Sequence, residues 1–212
     1  MGGVPDRIRF MAYKRLSEPN ALGFFEIGYL PVEVKLYKSD LTDSKWLEHP
    51  TFGREVDVAA IDVTEAVLGF QIDHANVLES DAVLELTASQ DVFVVGFPFG
   101  MIANAPAPIW KRGSIAIDPT FDLDGLPKML IDTATREGMS GSVVIARHFI
   151  VGRDYPKKDG TRSQPKLFAK LDLAVGIYSG RHYPDFEKAQ LGIVWKRSAI
   201  EETIKGGKVP SF

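Results

Sequence analysis

The sequence predicts an all-β protein, a sandwich or a barrel. Short β-branched and aromatic runs recur along the chain between turn residues, and helical periodicity is confined to one C-terminal segment. Two of the runs, "VEVKLY" and "KLFAKLDL", alternate apolar and polar residues as half-buried strands with one wet face do. Many short strands at irregular but close spacing indicate this class rather than βαβ units.

The elements follow in order. "RIRFMAY" (core 8–13), "FFEIGYLPVEVKLY" (24–37), "VDVAAIDV" (56–63) and "VFVVGFP" (92–98) supply the strands of a first unit, residues 1–98. The uncharged, Ala- and Pro-rich stretch 99–108 is expected to link it to a second unit, 109–212. That unit takes its strands from "IWKRGSIAI" (109–117), "KMLIDT" (128–133), "SVVIAR" (142–147), "KLFAKLDLAVGIYSG" (166–180) and "LGIVWK" (191–196). Between the third and fourth of these, "GRDYPKKDGTRSQPK" (152–166) reads as an exposed hairpin tip turning at Asp159-Gly160. "SAIEETIKGG" (198–207) is the one helix, with Ser198 as N-cap, Glu201 as its capping-box partner and Gly206 as terminator.

Composition narrows the function. With 45% hydrophobic residues, the 212-residue chain can bury a sizeable core. Its 25 Lys and Arg against 28 Asp and Glu leave no basic surplus for a phosphate backbone, so nucleic acid is a poor partner. There are no cysteines, hence no disulfide and no thiolate metal site. No apolar run reaches the length of a membrane span, and the start "MGGVPDRIRF" lacks the pattern of a signal peptide, so a soluble, cytoplasmic protein is expected. No cofactor is implied.

One stretch can carry chemistry. In "EGMSGSVVI" (137–145), glycines flank Ser140 just before a β-branched run. A serine attacks an acyl carbon only where a base takes its proton and hydrogen-bond donors receive the developing oxyanion. Glycines permit a tight turn whose amides, Gly138 and Ser140, aim at one spot. An ordinary polar turn entering a strand reads the same way locally. The lipase-type nucleophile elbow is excluded, because Ser142 stands where that motif needs glycine.

"GMSGSVVI" resembles the nucleophile motif of the trypsin/chymotrypsin superfamily of serine peptidases, with Val143 where proline is usual. Three further stretches resemble that superfamily in its own chain order. "VDVAAIDV" is similar to the strand of the triad aspartate, "VVGFPFG" to the Gly-Tyr-Pro of bacterial trypsin-like members, and "AVGIYSGR" to the strand that pairs with substrate. "LGIVWKRSAIEETI" then looks like the last barrel strand and terminal helix, so the resemblance covers roughly 50–205. It implies a chymotrypsin-like double β-barrel, its first barrel incomplete here, and a peptide or protein substrate cleaved through an acyl-enzyme. Ser140 would be the nucleophile, the N–H groups of Gly138 and Ser140 the oxyanion hole, and Asp57 the residue that orients the base. Asp62 competes with Asp57 for that role on the opposite strand face. Tyr178, Ser179 and Gly180 would line the substrate cleft and Ala134 the base of the specificity pocket, favouring a small or apolar side chain.

The superfamily places its histidine before the aspartate, and only His49 precedes Asp57 here. His49 sits eight residues upstream beside Pro50 and reads as a surface loop residue. His74, His148 and His182 fall on the wrong side of Asp57 in the chain. The expectation is a chain that begins inside the first barrel, after the triad histidine, or else a divergent homologue that binds peptides without cleaving them. Either would be nearly inert alone.

Overall fold

The structure is a computed structural model that describes residues 5–38, 43–72, 82–98, 108–181 and 190–210. Its strands are β1 (Arg7–Arg15), β2 (Ile27–Lys35), β3 (Trp46–Leu47), β4 (Ala60–Ile61), β5 (Asp91–Gly96), β6 (Ile109–Ile115), β7 (Lys128–Asp132), β8 (Val143–Arg153), β9 (Lys166–Arg181) and β10 (Leu191–Lys196). One helix, α1 (Arg197–Gly206), follows. The all-β expectation holds.

Six strands close into an antiparallel barrel in the order β10-β7-β6-β5-β8-β9. Alternate residues of each strand point inward, and Val92, Val94, Ile115, Met129, Ile131, Val144 and Val194 form a core sealed from solvent. The strand expected to end the first unit is therefore a stave of this barrel. β5 pairs with β6 through Asp91↔Ser114 to Gly96↔Ile109 and with β8 through Val92↔Ala146 to Val95↔Val143. The inward face of "DVFVVG", Val92 and Val94, is fully buried in the barrel core. The expected linker lies largely at 99–107, outside the described residues.

Residues 5–72 form no barrel among the described residues. β1 and β2 make a two-stranded ribbon, with Pro31 opposite Met11, and β3 and β4 a second, minimal pair. Proline has no N–H to give a neighbour, which suits β2 as an edge strand. One ribbon face packs Ala12, Val32 and Val34 under Ile61, Val63, Val67 and Phe70. Of the expected strand 56–63, only Ala60–Ile61 pairs; at 56–58 the chain turns, the Val58 N–H donating to the Val56 carbonyl, and Val56 and Val58 are held by side-chain packing.

Two local expectations change. The hairpin tip turns at Asp159-Gly160 as expected, with Gly160 at φ +83° and the Asp159 carboxylate accepting the Thr161 N–H. Helix α1, however, begins two residues early: Lys196, not Ser198, is the N-cap and makes no side-chain cap. The Lys196 Nζ instead donates to the Phe121 carbonyl (2.7 Å) and lies 2.6 Å from the Asp122 carboxylate, which draws the strand end toward that loop. No helix among the described residues is long and apolar enough to cross a membrane.

Candidate functional site

The turn that carries Ser140 is built by four constraints. Gly138 and Gly141 sit at φ +85° and +84°, where a side chain is strained. Two tight turns follow one another, Met139 N–H to Arg136 C=O and Ser142 N–H to Met139 C=O. The Met139 side chain plugs into the barrel core, sealed from solvent, and so fixes the turn from below. From the side, Gly141 N–H donates to the Tyr178 carbonyl and Tyr178 N–H to the Ser142 carbonyl, tying the turn to β9.

Ser140 is thereby left exposed at the head of β8. The N–H groups of Gly138 and Ser140 make no hydrogen bond among the described residues. Free donors on a rigid turn are what an incoming anionic oxygen requires.

Opposite the turn, β9 carries a bulge. Tyr178 pairs with Val194 and Gly180 with Ile193, so Ser179 has no partner across the ladder. A residue unpaired in this way is free to turn its polar groups aside, and Gly180 absorbs the bend at φ +137°. The Ser179 carbonyl accepts the Ser140 hydroxyl at 3.2 Å, while its own hydroxyl donates to the Asp57 carboxylate at 2.6 Å. Asp57, Ser179 and Ser140, far apart in sequence, are thus joined in one hydrogen-bonded line.

Asp57 reaches this point at the centre of a three-residue turn, closed by the Val58 N–H donating to the Val56 carbonyl at 2.8 Å. Val56 and Val58 point inward onto Trp195, Ala199 and Leu126, which sends Asp57 outward to Ser179. The stretch is also stapled to the C-terminus: Glu48 and Lys208 exchange both backbone hydrogen bonds, and Gly207 packs against Leu47 and Glu48 more closely than any side chain would allow. Asp62 is occupied locally, its carboxylate accepting the Thr64 N–H at 2.8 Å, and those Thr64 bonds hold its pKa below the usual carboxylate value.

The side chain of one expected cleft residue is turned into the core. The Tyr178 ring lies in the barrel core at 2% exposure, against Gly192, with its hydroxyl bonded to the Thr135 hydroxyl. Its backbone is hydrogen-bonded to the serine turn, and its ring shares the barrel core with the Met139 side chain. Ala134 is half-buried between the buried Thr133 and Thr135, with no hydrogen bond to the Ser140 turn.

His49 is not the surface residue expected. It is 1% exposed, its Nδ1 accepts the N–H groups of Thr51 and Phe52 at 3.3 Å, and its Nε2 lies 3.2 Å from the Glu202 carboxylate. An Nδ1 that accepts twice puts the ring proton on Nε2. His49 therefore caps its own loop and meets α1. His148 lies on β8 beyond Val143 by five residues, roughly 17 Å at the rise of a strand. His74 and His182 lie outside the described residues. No histidine among the described residues is bonded to Ser140 or Asp57. No three His, Asp or Glu side chains among the described residues come together as metal ligands would.

The residue the sequence under-used is Ser179, expected as cleft lining and found as the link between Asp57 and Ser140. Gly96 was also missed as a site residue. A β-carbon there would fall 1.9 Å from the Ser142 Oγ, so the glycine of "VVGFP" lets β5 approach the serine turn. Compared with models of known protein families and with curated proteins, the chain matches none.

Proposed function

We propose that this chain carries the serine and aspartate side of a trypsin-like peptidase centre within a chymotrypsin-like architecture. Supporting it above all is the line Asp57–Ser179–Ser140, because a surface turn has no reason to gather a carboxylate from 83 residues upstream. Ser140 Oγ attacks the scissile carbonyl carbon, and the N–H groups of Gly138 and Ser140 receive the oxyanion. An imidazole between Asp57 and Ser140 takes the Oγ proton and passes it to the departing amine as the C–N bond breaks. Water then hydrolyses the acyl ester by the same proton route. Ser179 holds the Asp57 carboxylate in place to orient that imidazole.

The described residues put no imidazole there, so free imidazole is the probe. A fluorophosphonate should label the chain slowly alone and faster with added imidazole, with phosphorus bonded to Ser140 Oγ and fluoride leaving. Ser140→Ala should abolish labelling, and Asp57→Asn should remove most of the imidazole response. Labelling that survives Ser140→Ala would sink the reading.

A second reading has its own observation. The Ser140 hydroxyl donates to a carbonyl, an acceptor that cannot remove a proton, so the resting hydroxyl is an unactivated alcohol. A module that holds an extended peptide along β9 without cutting it fits that state. Peptide binding unaffected by Ser140→Ala, with no labelling under any condition, would favour it.

A further inference from the structure

Beyond the barrel, β8 and β9 continue as a ribbon whose tip is met by residues 82–83, through Ala82↔Lys157 and the Val83 N–H donating to the Pro156 carbonyl, on a side away from the outer edge of β9. β5 leaves β8 at Ala146 and β10 leaves β9 at Gly176, yet β8 and β9 remain paired out to Arg153↔Lys166. The backbone of Lys166–Ala174 makes no hydrogen bond on its outer edge among the described residues. Among the described residues this is an unpaired strand edge, of a length within the usual range for a strand.

Charge and apolar surface meet on one face of it. Residues directly opposite in a ladder share a face, so Phe149 and Lys170, Val151 and Phe168, and Arg153 and Lys166 stand together. Phe149 and Phe168 are 56% and 61% exposed, with ring centroids 5.7 Å apart. The face runs back to the barrel through Arg147, paired with Asp172 at 2.7 Å, whose guanidinium lies 5.3 Å and 5.0 Å from the rings of Phe93 and Trp110. Arg153 and Lys166 have no acidic partner among the described residues. Residues 147–172 hold seven Lys or Arg against three Asp, four positive charges in excess, in a chain whose net charge is −3.

We propose that the Lys166–Ala174 edge docks an acidic, apolar peptide segment as an added strand. The register sets its pattern. Alternate side chains of the added strand fall beside Lys166, Phe168 and Lys170, which calls for acid, aromatic or large aliphatic, acid. The residues between fall on the reverse face beside Leu167, Ala169 and Leu171, which calls for apolar groups. The motif is Glu-apolar-Phe-apolar-Glu. A lipid surface fits less well: the apolar groups lie midway along the ribbon, while its tip carries Asp154 and Asp159 among its charges. The proposal does not depend on Ser140 chemistry.

The test uses the whole chain and a labelled peptide with a Glu-Val-Phe-Val-Glu core, read by fluorescence anisotropy. Binding should weaken with salt and be absent for the Lys-Val-Phe-Val-Lys peptide. Phe168→Ser should lose at least about tenfold in affinity, as expected for a central anchor. Lys166→Glu with Lys170→Glu should reject the acidic peptide and accept the basic one, a swap that a misfolded variant would not give. Equal binding of both peptides by the parent chain, or no swap in the variant, overturns the proposal. So does binding to phosphatidylserine vesicles with no binding to the acidic peptide.

Discussion

The β5–β10 barrel and the β1–β2 ribbon draw on the same kind of sequence, β-branched runs between turns, and end in different states of burial. In the barrel every inward face is covered by the strands opposite, and Val92, Val94, Ile131, Val144 and Val194 are sealed from solvent. The ribbon buries one face against 61–72 and leaves Met11, Phe24, Ile27, Tyr29 and Leu30 exposed. Closure makes the difference, since a closed sheet has no edge and covers its own interior, whereas two strands need a foreign surface. The candidate site straddles the two states. Ser140, Gly138 and Ser179 are fixed by the barrel, while Asp57 arrives on a stretch pinned by Val56 and Val58 to Trp195 and α1.

The sharpest way to break this comparison is to empty one side chain on each side of it. Ile131→Ala should cost about 2–5 kcal/mol, the range for deleting a fully buried aliphatic group. Val34→Ala, at the margin of the ribbon's thin core, should cost about 1 kcal/mol. Urea denaturation of both variants checks the ratio. Equal losses would mean that the ribbon is as firmly built as the barrel.

Next in size is Gly96→Ala, which pushes a methyl group to within 1.9 Å of the Ser142 Oγ. The Ser142 side chain must give way to admit it, at about 1–3 kcal/mol. The movement falls on the serine turn itself, so imidazole-stimulated fluorophosphonate labelling should drop with stability. Pairing it with Ser142→Gly removes the obstructing hydroxymethyl group and should restore much of both. If Gly96→Ala alone leaves labelling and melting unchanged, the turn is not braced by β5.

These two variants also mark what the sequence made legible. Turn glycines, β-branched runs and the Asp159-Gly160 tip are local signals, and they placed most strands and the serine turn. Which sheet a strand joins is not local, and "DVFVVG" looks the same whether it ends one unit or opens another. Ser179 is a sharper case. Its role depends on a bulge opposite Ile193 and Val194, and bulges have no sequence period to read. His49 failed for a related reason: a histidine beside a proline reads as exposed until Glu202, far along the chain, is brought against it.

A smaller effect tests the region between the two extremes, where the β8–β9 ribbon leaves the barrel. The hydrogen bonds from Arg147 hold the Asp172 pKa below its ordinary value, against the opposing effect of burial. A depressed carboxylate stabilises the fold at pH above the unfolded value near 3.8, and that contribution is lost as pH falls through the folded value. Asp172→Asn should therefore cost about 1–2 kcal/mol at neutral pH, and thermal melting of variant and parent should converge in strong acid. A difference that persists unchanged into acid would show that packing, not charge, holds Arg147 against Phe93 and Trp110.

The smallest expected effect lies one residue along β8. Burial lowers the pKa of His148 below 6.5, and the Gln90 Nε2 lies 2.6 Å from its Nε2. An amide N–H donating to Nε2 leaves the ring proton on Nδ1, and a charged ring, with N–H on both sides, would face that donor directly. The unfolded chain takes up the proton first as pH falls below about 6.5, so the contribution of neutral His148 is full above that value and shrinks below it. Because the ring is partly open to solvent, the loss should amount to a fraction of a kilocalorie per mole. His148→Asn keeps a polar group beside Gln90 without titrating, and its melting temperature should vary less between pH 7 and pH 5 than that of the parent. A variant as pH-sensitive as the parent would place the titrating group elsewhere, and the ribbon's root would then owe nothing to His148.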